Sequence, residues 1–191
     1  MAIFLILAPY GAYSCLMLVT SALVSVFAAA AICLATVAID VARGRSVKVL
    51  AAGSAIVFAA IGLYLALIDP ALGPLGVKLS VDLGIFVISL GSMLLRRPFT
   101  LQYALETVPA ETAAMPGFLT ANYVITGAWT AAALLMAAAN LVLLYVPGLP
   151  LWSSLAVAFA ARNSAIYFTK WYPEYRQIKY GTAARALPGA R

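Results

Sequence analysis

The chain has 191 residues, of which 65% are hydrophobic and 9% charged, with a formal net charge of +6 and a mean hydropathy of +1.02. A soluble domain covers its surface with about 25% charged residues, so this composition excludes a water-soluble fold. Spans of about 20 residues each consume the length and leave little for a catalytic domain outside the bilayer.

The twelve Lys and Arg lie mostly between and after apolar blocks. That distribution is an orientation signal and not a nucleic-acid patch, so the partner expected first is the lipid bilayer, with no nucleic acid. There is no histidine, which removes the usual transition-metal ligand, haem ligand and general base, and neither a metal nor a cofactor is expected. Cys15 and Cys33 lie in the first apolar block without a CxxC partner and read as helix-packing residues.

From Ala2 to Ile39 there is no charged residue, and the break signal is Pro9-Tyr10-Gly11. The expectation is a short interfacial or re-entrant lead segment, 2–8, followed by a first span over 12–39. A cleaved signal peptide is disfavoured because a positive n-region is missing. Asp40 to Lys48 closes that span, and the second runs over 49–68 to Asp69-Pro70, since proline forces its predecessor out of the helical region. A loop rich in Gly and Pro leads to a third span, 77–95, stopped by Arg96-Arg97-Pro98.

Pro98 suits a helix start, and Phe99, Tyr103 and Glu106 follow at helical spacing, so 98–108 is expected to be a short interfacial helix. The fourth span, 118–145, ends at Pro147-Gly148, and the fifth, 151–169, ends before Lys170. Residues 1–180 form one transmembrane domain, and 181–191 read as a flexible cytoplasmic tail. The fold class is therefore all-α, a polytopic transmembrane helix bundle of about five spans plus the N-terminal segment. Basic residues collect in alternate loops, which puts the C-terminus in the cytoplasm. Six spans with the N-terminus inside would need a sharp turn near Tyr10. Trp152 at one face, and Trp171, Tyr172, Tyr175 and Tyr180 at the other, form the aromatic belts.

Charged and amide side chains inside a span are costly and need a reason. Arg162, with Asn163 beside it, lies well inside the fifth span. It reads either as a site for an anion, a lipid headgroup or a transport pathway, or as one half of a structural pair. Asp82 has Lys78 four residues before it on the same helical face, where the two can neutralise each other. Asn140 and Asn122 on the fourth span read as interhelical glue or as ligands. Ser80, Gly84 and Gly91 on the third span, and Ser21, Ser25, Ala28 and Thr36 on the first, form stripes of small residues that admit a neighbouring helix. Arg96 and Arg97 complete the set of candidate binding residues. No nucleophile and base, paired carboxylates, phosphate-binding loop or metal spacing occurs, which argues against an enzyme.

The order of these features resembles the intracellular septation protein A family of bacterial inner-membrane proteins. The matching pieces are the apolar start to Pro9, the loop with Arg43, Arg45 and Lys48, the span from Lys78 to Arg96-Arg97-Pro98, and Asn122, Trp129 and Asn140. The most distinctive stretch is RRPFTLQY, Arg96 to Tyr103, and the resemblance covers Phe4 to about Tyr145. It implies a multi-spanning protein of the bacterial cytoplasmic membrane, linked to cell-envelope integrity and division, and carries over no catalytic residue. Two functions are therefore expected to compete. One is a scaffold or envelope-maintenance protein acting through membrane-protein partners or a homo-oligomer. The other is a small transporter, channel or lipid-handling protein built around Arg162 and Asp82.

Overall fold

A computed structural model describes the backbone of residues 2–181 and the side chains of residues 8–179. The chain is all-helical, with no strand among the described residues. Its helices are α1 (Ala2–Leu16), α2 (Ala22–Ala42), α3 (Val49–Leu67), α4 (Pro74–Leu94), α5 (Phe99–Leu105), α6 (Ala110–Ala113), α7 (Phe118–Tyr145) and α8 (Trp152–Arg176), with a π-helical end at Gln177–Gly181. Of these, α2, α3, α4 and α7 are long and apolar enough to cross a membrane. The expected tail, 181–191, lies almost wholly outside the described residues.

The first expected span is not one helix. α1 continues through Pro9 and Gly11, and the chain turns at 17–21. The turn forms there because polar side chains satisfy the freed backbone groups. Thr20 Oγ1 donates to Leu16 O at 2.8 Å, and the Ser21 hydroxyl accepts from Val24 N at 3.3 Å as the N-cap of α2. An N-cap hydroxyl of this kind stabilises a helix start by about 1 kcal/mol. The boundary expected at residues 9–11 is therefore displaced to Thr20-Ser21.

The other boundaries follow local chemistry. α3 and α7 occupy the expected ranges, and α4 starts three residues early because Pro74 sits in its first turn, where its missing N–H costs nothing. α4 ends in a left-handed residue, Arg96 at φ 58°, and Arg97 N closes back on Ser92 O at 2.9 Å. Phe99 N then donates to the buried Ser92 hydroxyl at 3.1 Å, which fixes the start of α5. The expected interfacial helix 98–108 is shorter, Phe99–Leu105. α8 runs past the expected end at residue 169 and contains Pro173. Arg162 and Asn163 in mid-helix, with Lys170, Glu174 and Arg176 in its second half, set its composition apart from the four apolar helices.

Consecutive long helices pack side by side in the order α1, α2, α3, α4, α7, α8, and α5 crosses against α7 and α4. One core joins α1 to α4. In it Phe58 is held between the rings of Tyr10 and Tyr13, at 5.7 and 5.6 Å, over Val26, Cys33, Val77 and Val81. A second core joins α7 and α8 through Ala132, Ala133, Met136, Ala161 and Ala165. Alanines at that seam let the helices approach closely, the form of packing that works where lipid is as apolar as the side chains. Gly62 and Gly84 serve the same purpose against Phe27 and Val57.

Candidate functional site

A cavity of about 250 Å³ opens between α4, α5, α7 and α8, with Tyr10 of α1 and Leu50 of α3 on its far wall. Its lining is mainly apolar, from Ile85, Phe99, Ile125, Trp129, Ala133 and Met136. Hydroxyls of Ser89, Thr100 and Thr169 are spaced along it, and Arg162 is part of its lining. Trp129 is oriented by a hydrogen bond from its Nε1 to Thr169 Oγ1 at 2.9 Å, so its ring forms a fixed wall.

Arg162 is half-buried and makes no hydrogen bond or ion pair with any other described residue. No carboxylate or carbonyl is in contact with this arginine among the described residues; its charge acts on Asp82 from beyond ion-pair distance, and its side chain lines a mostly apolar cavity. Its sequence neighbour Asn163 does not join it. That side chain is exposed and donates to Phe159 O of its own helix at 2.7 Å.

Asp82 and Asn140 do meet. Both are buried, and Asn140 Nδ2 donates to Asp82 Oδ2 at 2.6 Å. Asp82 shares a helical face with Ile85 and Ser89, three and seven residues on, while Asn140 shares one with Met136 and Ala133. All four of those neighbours line the cavity. The Asp82–Asn140 pair thus lies one turn beyond the cavity's end, and the charges of Lys78 and Arg162 both act on the carboxylate. The expected neutralisation of Asp82 by Lys78 is not a contact, because Lys78 Nζ is buried without a hydrogen-bond partner. Asn140 Oδ1, Tyr13 OH and Ser89 Oγ are buried and unpartnered as well. Buried polar atoms are almost always paired, so a group of orphans marks a place that water or a ligand completes. Lys78, Arg162 and Asp82 thus bring two basic groups and one acidic group to this region.

Arg96 and Arg97 are exposed and lie outside the cavity. Arg96 instead supplies the left-handed residue that ends α4.

Sequence reasoning did not anticipate the cavity floor. Thr100 Oγ1 donates to Asn122 O at 3.0 Å and bonds Thr126 Oγ1 at 2.8 Å, which pins α5 to α7. On its other side, Gln102 Oε1 accepts from Val49 N at 2.7 Å. The buried Lys48 ammonium is paired with Glu106, lies 3.6 Å from Asp40, donates to Ser46 O at 2.9 Å, and sits 5.9 Å over the Tyr103 ring. Burial above all, with the nearby Tyr10 and the charge of Asp40, pushes the Tyr103 phenol up and keeps it a neutral wall of the cavity. α5 is thus a bracket across the loop between α2 and α3 and the start of α7. Its signal in the sequence was Gln102 and Glu106, four residues apart after the Arg96-Arg97-Pro98 turn, whose partners are remote.

No protein-family model, curated protein or solved structure matches the chain.

Proposed function

We propose that this protein is a multi-pass membrane protein that handles an anionic amphiphile, taking its apolar chain into the cavity and its single negative headgroup to Arg162. The observation that carries this reading is a half-buried arginine with no hydrogen bond or ion pair to any described residue, lining a mainly apolar cavity. An arginine offers five donors in a planar fork suited to carboxylate or phosphate. In a site walled by Phe99, Ile125 and Met136, such a pair is strong because little water competes with it.

The same reading makes α8 a fifth crossing. Its 25 residues reach about 37 Å, enough to traverse the hydrocarbon. Arg43, Arg45, Arg96, Arg97, Lys170 and Arg176 then gather on one side, the cytoplasmic face of a bacterial inner membrane. With its turn at 17–21, α1 returns toward that side as a short partner of α2, so residues 2–16 enter the bilayer as part of a helical hairpin. A septation-type scaffold role draws on the sequence resemblance and on the stripes of small residues. The unpartnered arginine favours ligand handling over it.

Dibromostearate is the test probe. Its bromines quench tryptophan at short range, and Trp129 lines the cavity. In nanodiscs of the Trp152→Phe, Trp171→Phe background, saturable quenching of Trp129 is expected. Arg162→Ala weakens it about 10- to 100-fold, the loss of one charge-assisted hydrogen-bonded pair. Unsaturable quenching, or equal affinity in Arg162→Ala, overturns the reading and returns the case to a scaffold.

A further inference from the structure

We propose that Asp82 is a proton-binding site coupled to the anion at Arg162, so that the protein takes up one proton together with one negatively charged headgroup. This deepens the reading above and rests on it. The geometry behind it is independent of the cavity's apolar walls. Asp82 is 4% exposed, has a single hydrogen bond, to Asn140, and has no ion-pair partner within 4.0 Å among the described residues. A carboxylate so placed in a membrane-length helix is expensive to keep charged, and intramembrane acids of this kind mark ion or proton pathways.

The groups that face Asp82 can be named for each element packed near it. α1 brings Tyr10 and Tyr13, both close enough for the carboxylate charge to act on them. α4 itself brings Lys78, α7 brings Asn140, and α8 brings Arg162. α3 has no Asp, Glu, Lys or Arg over 49–67. Lys78 Nζ, Tyr13 OH and Asn140 Oδ1 are all buried and unpartnered. They supply two donors and an acceptor for water leading from the start of α4 to the carboxylate. A proton from bulk solution is relayed along that water, which is left unchanged; it adds to the Asp82 carboxylate and leaves it neutral, while the Asn140 amide keeps its hydrogen bond.

The sign of the coupling follows from charge. With Asp82 ionised, Lys78 and Arg162 share one negative neighbour. With Asp82 protonated, their positive field is uncompensated and an anion at Arg162 binds more tightly. By linkage, the anion must then favour the proton by the same factor.

The test uses a dibrominated alkyl sulfonate, whose headgroup stays charged over the working pH range, with native protein and Asp82→Asn in nanodiscs. Trp129 quenching in the native protein is expected to tighten about tenfold as pH falls through the Asp82 titration. Binding is also expected to take up as much as one proton, read by an indicator dye in weak buffer. Asp82→Asn, which keeps the shape and the bond to Asn140, binds tightly at every pH and takes up no proton. Infrared difference spectra without sulfonate carry an acid carbonyl band that titrates in the native protein and is missing in the variant. Native binding that is independent of pH, or a pH dependence that survives in Asp82→Asn, overturns the proposal while leaving the amphiphile site standing. Should the variant not fold, native protein that binds sulfonate without proton uptake overturns it equally. An absence of sulfonate binding at any pH is instead the failure of the amphiphile reading, and the infrared titration then decides Asp82 alone: no titrating carbonyl band overturns the proton site.

Discussion

Lys48, at the entrance of α3, and Glu106, just past α5, are 58 residues apart and joined in an ion pair, with the Lys48 side chain only 2% exposed. Nothing else in the fold ties the first four helices to the cavity floor by charge, among the described residues. Removing Glu106 leaves the lysine with Asp40 at 3.6 Å and a carbonyl.

Glu106→Ala is therefore expected to lower stability by about 1.5 to 3 kcal/mol, the range for a hydrogen bond to a charged group. Amide hydrogen exchange should quicken first over residues 99–105. Glu111→Ala, on the exposed α6, serves as the control and should leave exchange in α5 unchanged.

Arg96 makes a different and opposite prediction. A non-glycine residue in the left-handed region costs about 1 to 2 kcal/mol, and Arg96 is the one non-glycine with positive φ among the described residues. Arg96→Gly is expected to raise stability by about 1 kcal/mol, part of the relief being offset by glycine's greater freedom when unfolded. Arg97→Gly should not stabilise. Thermal unfolding in a single detergent compares the two, and destabilisation by Arg96→Gly would show that the side chain itself holds the turn.

The orientation can be read with a membrane-impermeant maleimide on a Cys15→Ser, Cys33→Ala background. Arg45→Cys lies in the loop between α2 and α3, and Leu149→Cys in the loop between α7 and α8, both on exposed side chains. In intact spheroplasts the label should reach residue 149 and not residue 45, and after lysis it should reach both. The reverse pattern would invert the topology.

How much of this was legible in the sequence depended on whether the decisive chemistry was local. The ends of α3 and α7 could be read because Asp69-Pro70 and Pro147-Gly148 lie at the close of long apolar runs, where proline's local effect and the drop in hydropathy agree. At the N-terminus the loudest local signal misled. Pro9 is accommodated within α1, and the turn is made by Thr20 and Ser21, whose hydroxyls look like ordinary packing residues until their backbone partners are known. Asp82, Asn140 and Arg162 stood out as polar residues in apolar helices, yet their arrangement did not. Asp82 joins Asn140 across 58 residues and Arg162 joins neither directly. The bracket made by Thr100, Gln102 and Glu106 was invisible for the same reason, since each of its partners belongs to another helix or loop.

Arg176 Nη1 donates to Gly117 O at 2.8 Å, and its guanidinium fills the space a side chain at 117 would take. The far end of α8 is thereby buttoned to the root of α7, so the hairpin of α7 and α8 is closed at both ends: by its covalent turn at one and by this hydrogen bond at the other. A membrane-extracting protease or motor that pulls from the C-terminal side meets a fixed point there. It must draw one arginine out of a glycine notch before the alanine seam behind it can begin to open.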